Sequence, residues 1–218
     1  MPTLLIATTN PGKVREIIHE FEVAAQTSHD PSLSGIDIRG LRDLTPAPAD
    51  CIEDRPTFIG NATKKARHFA ETTGCLTLAD DSGLCVEALA GAPGVISARY
   101  AGVDGPREVV DPANNAKLMR EMEGVPEGRR QAKFVCAMAL AMPGAELAVM
   151  VDEVRGEILR EPRGEHGFGY DPYFYFPEFG KTTAELDMET KSRISHRGKA
   201  LRRMIGWLGA RGGSLLGF

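Results

Sequence analysis

Residues 3–21, TLLIATTNPGKVREIIHEF, decide the fold. The first five, Thr3–Ala7, are an apolar run of the kind that forms a buried strand. The next five, Thr8–Gly12, combine Thr, Asn, Pro and Gly in a dense turn signal. Apolar residues then recur at the helical spacing, at Val14, Ile17, Ile18 and Phe21. The chain therefore opens with a strand, a tight loop and a helix.

Similar patterns continue along the chain. Apolar runs predict strands at 36–38, Cys75–Ala79, Ala132–Met142, Leu147–Val154 and Arg155–Leu159. Helices are predicted from Thr57, from Asp111-Pro112 as N-cap and first helical residue, and over Ser195–Leu208. The pattern predicts an α/β fold, an elongated mixed sheet flanked by helices, in two lobes with a cleft between them. Residues 1–209 are expected to form one domain and residues 210–218 a flexible tail.

Composition excludes several classes of partner. The chain of 218 residues has 26 Lys and Arg against 30 Asp and Glu, and no basic block suits a nucleic-acid backbone. A local basic cluster within residues 193–203 fits a small polyanion better. No apolar run approaches the ~20 residues of a membrane span, and the N-terminus is too short for a signal peptide. Four cysteines without C-x-x-C spacing suggest buried thiols in the cytoplasm, with a zinc site or disulfides as the alternative.

The first candidate site is the loop before the first helix, where backbone amides and the helix dipole favour an anion. Lys13 adds a positive charge, although the spacing is not that of a Walker A loop. The simpler interpretation is a turn that only begins a helix. The candidate phosphate-binding residues are Thr8, Thr9, Asn10, Pro11, Gly12 and Lys13.

A second candidate is the pair of acids in Asp80-Asp81-Ser82-Gly83, directly after the apolar run Cys75–Ala79. The run is expected to end there, at the edge where α/β proteins place ligands. Mg²⁺ prefers one or two carboxylates, completed by waters and phosphates. Glu53 or Asp54 could supply a further ligand. The alternative is a capped turn.

Two further segments could bind a flat, polar ligand. In Gly167–Pro172, glycines allow close approach, and Phe168 and Tyr170 offer aromatic faces. In the last candidate, Ser195 fits an N-cap, which would place His196 and Arg197 as donors directed out of the first helical turn. Lys191 precedes them. The alternatives are a loop with core aromatic residues and a solvated surface pair.

The segments together resemble the inosine triphosphate pyrophosphatase family. The matching stretches are ATTNPGKVREI, TF-x-x-NA-x-x-KARH, LADDSGLCVEALAGAPGVISARYAG, GFGYDPYF and KSRISHRGKAL, which span nearly the whole chain in order. The resemblance implies hydrolysis of ITP, dITP and XTP to a monophosphate and pyrophosphate, with Mg²⁺ as cofactor. It also implies a homodimer with its site in the cleft.

The resemblance implies a role for each matching residue. Asp81 would accept a proton and bind Mg²⁺, with Glu53 as second metal ligand. Residues Thr8–Lys13 would hold the triphosphate, with Ser82 nearby. The residues expected to bind the nucleoside are Phe168, Gly169, Tyr170, Asp171, Lys191, His196 and Arg197.

Two departures from the family pattern concern the metal. Gly60 stands where family members often carry glutamate, and the acidic run before Thr57 is thin, so Asp54 remains an alternative to Glu53. Other functions also remain open: a pyrophosphatase for other modified nucleotides, or a nucleotide sensor without catalysis.

Overall fold

A computed structural model describes residues 3–28 and 35–215 of the protein. Within them the helices are α1 (Pro11–Ser28), α2 (Phe58–Thr73), α3 (Arg107–Glu121), α4 (Met188–Ile194) and α5 (His196–Leu215). The strands are β1 (Thr3–Ile6), β2 (Asp37–Gly40), β3 (Leu76–Val86), β4 (Gln131–Met142), β5 (Ala145–Ile158), β6 (Phe174–Phe176) and β7 (Lys181–Thr182). No helix in these ranges is long and apolar enough to cross a membrane.

The described strands form one mixed sheet in the order β2-β1-β3-β4-β5-β6-β7. Strand β1 pairs in parallel with both β2 and β3, as a strand–helix opening favours. Strand β6 pairs antiparallel with β5 and β7. The predicted mixed α/β fold is therefore confirmed.

The chain divides into two compact units. The first comprises the described residues of Met1–Asp81, Cys136–Asp152 and Arg197–Phe218. The second comprises Ser82–Val135 and Glu153–His196. Two units agree with the two predicted lobes, while the predicted cleft stays a prediction.

In the first unit, both faces of β1 are buried. Alternate residues of a strand face opposite sides, so Leu4 and Ile6 pack in one cluster with α1 and α5. Leu5 packs in a second cluster with Ala62, Ala66 and Phe69 of α2. This explains why the opening strand is a continuous apolar run rather than an alternating one. The second unit has its own core, which includes Leu84, Leu118, Phe134, Tyr170 and Phe174.

Two predicted boundaries near turn signals are wrong. Strand β3 does not end at Asp80 but continues through both acids to Val86. Helix α3 begins at Arg107 rather than after Asp111, so Pro112 lies inside it. The proline removes a hydrogen bond to the carbonyl of Glu108, which is an exposed residue.

Two other elements are longer than predicted. Strand β5 is continuous where two strands were predicted, and Gly156 lies within it. A Cβ at Gly156 would lie 2.8 Å from Phe174 Cε1 of β6. Helix α5 continues past the predicted end at Leu208 to Leu215. The Arg211 guanidinium lies over the Trp207 ring four residues earlier, which supports the added turn. Residues 216–218 of the predicted tail lie outside the described residues.

Candidate active site

Asn10 caps α1 within the predicted phosphate loop. Its Oδ1 accepts the N–H groups of Gly12, at 2.9 Å, and Lys13, at 3.4 Å. Thr8 Oγ1 accepts the N–H of Asn10 at 3.2 Å. The sequence predicted that the first backbone N–H groups of α1 would be available to an anion. Two of them instead donate to the Asn10 side chain, which acts as an N-cap. Among the described residues, Asn10 Nδ2 has no partner although it is buried, so the loop keeps one unused donor beside Lys13. Thr9 is exposed.

Asp80 is the anionic centre of a buried network in the first unit. Its Oδ2 lies 2.9 Å from Lys13 Nζ and 3.4 Å from Arg197 Nε. Arg197 also pairs with Glu16. Burial would raise the pKa of Asp80, but Lys13, Arg197 and Lys65 hold it well below its ordinary value. The carboxylate therefore stays charged and holds two cations in place.

Arg197 lies inside the first unit rather than directed out of the helix end as predicted. Burial would lower the pKa of its guanidinium, and the carboxylates of Glu16 and Asp80 raise it above its ordinary value. Only 3% of the residue is exposed. The sequence could not show this, because Glu16 and Asp80 are far from Arg197 in the chain.

Asp81 has different surroundings from Asp80, since successive residues of a strand face opposite sides. Its Oδ2 accepts a hydrogen bond from Asn61 Nδ2 at 3.0 Å. Burial, reinforced by the Glu53 carboxylate, raises the pKa of Asp81 to about 6, against the opposing influence of Lys65, Lys13 and Asn61. A carboxyl group that titrates close to neutral pH suits a general base.

Lys65 connects the two acidic segments. Its Nζ donates to the Asp80 backbone carbonyl at 2.7 Å and pairs with Glu53 Oε1 at 2.7 Å. The other candidate, Asp54, pairs instead with Lys64 at 2.8 Å in an exposed position. Of the two carboxylates considered as second metal ligand, Glu53 is therefore the one tied to the Asp80 segment.

The glycine–aromatic loop, residues 167–171, lies in the second unit. Asp171 Oδ2 accepts the Phe168 N–H at 2.8 Å and pairs with Lys191 Nζ at 2.7 Å. The same Nζ lies 4.8 Å from the centroid of the Phe168 ring. Gly167 has φ of 82°, and a Cβ there would lie 2.9 Å from Asp171 Cγ. The loop thus needs glycine to close around the buried Asp171 carboxylate.

Two predicted ligand-binding rings are buried in the second unit. Tyr170 is part of its core and donates to the Ser97 carbonyl at 2.9 Å, which agrees with the core interpretation of that residue. His196 stacks on Phe134 with ring centroids 4.9 Å apart.

The other predicted residues of this unit are less buried or lie at element ends. Phe168 is only half-buried. Ser195 ends α4, with its N–H bonded to the Lys191 carbonyl at 2.9 Å. Ser82 is half-buried in β3.

Asn61 and Lys65 were missed as candidate site residues. They lie four residues apart on α2 and are buried beside Ala62 and Ala66. Polar residues on the apolar face of a helix are the signal that could have identified them, because such groups are buried only with partners. Both belong to the quoted TF-x-x-NA-x-x-KARH stretch.

The mixed sheet and its flanking helices define an α/β protein. Its candidate site is polar and centres on the acids Asp80 and Asp81 of β3, an interior strand of the sheet. The chain belongs to the Ham1 family, whose model matches residues 4–207. The resemblance found in the sequence is therefore confirmed.

Named relatives match over almost their whole length. A dITP/XTP pyrophosphatase from Desulforamulus reducens is 48% identical over 202 residues, 93% of this chain and 93% of that protein. One from Geobacillus kaustophilus is 47% identical over 204 residues, 94% of this chain and 93% of that protein. The solved structure of a HAM1 protein from Coxiella burnetii has a TM-score of 0.80 at 37% identity, covering 96% of this chain and 100% of its own.

Proposed function

We propose that this protein hydrolyses non-standard purine nucleoside triphosphates, such as ITP, dITP and XTP, to the monophosphate and pyrophosphate. Such an activity removes these nucleotides from the pool available for synthesis. The observation that carries the proposal is the buried carboxyl group of Asp81, with its pKa near 6, in a chain 48% identical to a protein named dITP/XTP pyrophosphatase.

The first unit supplies groups suited to a triphosphate and to water activation. Lys13 and residues 8–12 would bind the phosphate oxygens, as would Ser82, which follows Asp81 in the chain and begins the second unit. Asp81 would orient a water molecule, or accept its proton, for attack at the α-phosphate with pyrophosphate as leaving group. Asn61 donates to Oδ2 of that carboxylate, which helps to orient it.

We also propose Mg²⁺ as cofactor, held by Asp81 and Glu53. The donor set fits, because the Glu53 carboxylate raises the pKa of Asp81 and a divalent cation would relieve that repulsion. The described residues contain no group of three or more His, Cys, Asp or Glu able to hold a metal, and Mg²⁺ usually takes one or two carboxylates together with substrate phosphates. When bound, it would offset phosphate charge and orient the triphosphate.

The remaining predicted residues would bind the purine base of the nucleotide. Phe168 offers the half-exposed ring, and Gly169, Tyr170, Asp171 and Lys191 shape the loop around it. His196 and Arg197 would donate to the carbonyl at C6 of hypoxanthine or xanthine, where adenine carries an amino group. A site with mismatched polar groups can reject such an analogue by roughly 10⁴–10⁵.

We also propose that the protein is a homodimer, as the family resemblance implies, and that it acts in the cytoplasm. Four free thiols support a reducing compartment. Light scattering of the purified chain tests the dimer.

The proposed activity is tested by release of pyrophosphate from ITP, XTP, GTP and ATP with Mg²⁺. We expect kcat/KM for ITP and XTP to exceed that for ATP and GTP by orders of magnitude. A preference for a modified pyrimidine nucleotide would replace the substrate assignment, and binding without pyrophosphate release would show a nucleotide sensor.

Lys13→Ala is expected to weaken triphosphate binding about 10- to 150-fold, the size of a lost charge-assisted hydrogen bond. Inosine monophosphate should lose much less, because Lys13 is assigned to the phosphates. Calorimetry on an Asp81→Asn background compares the two ligands. Equal losses for both would remove Lys13 from the β- and γ-phosphates.

A further inference from the structure

Helix α3 presents three polar side chains on one face, at intervals of four residues, and all three contact the glycine–aromatic loop. Asp111 Oδ2 accepts the Gly169 N–H at 2.9 Å. Asn115 Nδ2 donates to the Gly169 carbonyl at 2.9 Å. The Arg107 guanidinium lies 5.5 Å from the centroid of the Phe168 ring. One helix therefore holds both backbone polar groups of Gly169 and contacts the adjacent ring.

Gly169 is not part of a helix or strand that would pair its backbone polar groups. Its φ is 61°, in the left-handed region, and it belongs to a loop outside the helices and strands. A loop residue of this kind is ordinarily mobile, since its backbone groups can exchange partners with water. The two hydrogen bonds from α3 fix the peptide planes on both sides of the Gly169 Cα.

The loop is also held from its other end. Asp171 accepts the Phe168 N–H and is itself paired with Lys191. Arg107 in turn pairs with Asp111 at 3.2 Å, which orients the carboxylate toward Gly169. The Phe168 ring thus belongs to a short segment whose backbone is hydrogen-bonded at Phe168 and at Gly169.

The three polar residues of α3 adjoin its buried residues. The buried residues of the helix, Asn114 and Leu118, come three and seven residues after Asp111, so they lie on the same side of the helix. Asp and Asn are weak helix formers, so Asp111 and Asn115 are better explained by what they bind than by the helix that carries them.

We propose that Asp111 and Asn115 are positioning residues for base recognition. They preset the Phe168–Gly169 segment so that the Phe168 ring is ready to stack on a purine base before the nucleotide binds. The inference rests on the proposed function for the identity of the ligand. If the loop is already ordered, nucleotide binding does not have to supply the free energy that orders it. These residues therefore act on affinity for ligands that carry the base rather than on the hydrolytic step.

The test compares Asp111→Ala with Asp111→Asn and with Glu108→Ala, an exposed acid on the same helix. Asp111→Ala should raise KM for ITP and Kd for inosine monophosphate about three- to tenfold, as loss of one hydrogen bond does. The values of kcat, and of Kd for inorganic tripolyphosphate, should stay within about twofold. Asp111→Asn keeps an oxygen acceptor for the Gly169 N–H and should restore most of the affinity. Glu108→Ala should change nothing.

Asn115 provides an independent pair of variants. Asn115→Ala should follow Asp111→Ala, and Asn115→Asp should be worse, because it places a carboxylate oxygen against the Gly169 carbonyl. Hydrogen exchange of the peptide covering residues 167–171 should quicken in the alanine variants and not in Glu108→Ala.

Unchanged exchange in both alanine variants would overturn the inference. Equal weakening of inosine monophosphate and tripolyphosphate would also overturn it, as would an Asp111→Asn variant no better than Asp111→Ala. The exchange measurement needs no turnover. If the wild-type chain hydrolysed no ITP, the proposed function would fail, while faster exchange in the variants would still show that α3 holds the loop.

Discussion

Asp81→Asn is expected to lower kcat for ITP by about 10²–10⁴-fold or more, the contribution of a general base, while the protein stays folded. The substitution keeps the shape and an oxygen that can still accept from Asn61. It removes the basic oxygen and the negative charge proposed to hold Mg²⁺. Pyrophosphate release measures kcat, and circular dichroism verifies the fold.

Replacing either of the two neighbouring acids by Asn should affect stability differently. The pKa of Asp81 is raised, so folding disfavours its charged form, and Asp81→Asn should leave Tm unchanged or higher. The pKa of Asp80 is lowered, so folding favours its charge, and Asp80→Asn should lower Tm. Near wild-type turnover in folded Asp81→Asn would show that this carboxylate is not the base.

Hydrophobic periodicity predicted the elements that have a buried apolar run or one buried helix face. Strands β1 and β4 and helices α1 and α2 follow directly from apolar runs and helical spacing. The errors arose where local turn chemistry was given too much weight. The Asp-Asp-Ser-Gly segment has the composition of a turn, yet it continues β3, because pairing with neighbouring strands overrides the local preference.

The candidate site residues could be chosen from the sequence by residue type, but their partners in the fold could not. The sequence pointed to Asp81, Lys13 and Asp171 as chemically important, and each lies in a hydrogen-bonded or ion-paired network. It could not show that Asp80 would bind Lys13 and Arg197 together, because those residues are brought close only by the fold. The same holds for the contact between Asp111 and Gly169, which are 58 residues apart.

Arg197→Ala is expected to lower the free energy of unfolding by about 3–5 kcal/mol, the cost of breaking a buried ion pair by removing one partner. The substitution leaves the carboxylates of Glu16 and Asp80 buried without the guanidinium that pairs with both. Urea unfolding followed by circular dichroism measures the change. Arg203→Ala is the matched control on the same helix, because its pair with Asp152 is largely exposed and should contribute no more than about 1 kcal/mol.

Arg197→Lys separates the structural role of this residue from base reading. Lysine keeps a positive charge for Asp80 and Glu16, so it should recover much of the lost stability, but it lacks the planar fork of donors. If Arg197 also donates to the C6 carbonyl, the ratio of kcat/KM for ITP over ATP should fall at least about tenfold in the folded lysine variant. An unchanged ratio would confine Arg197 to the ion-pair network in the first unit. Recognition of the base would then rest on the loop of residues 167–171, where the Asp111 and Asn115 variants measure it directly.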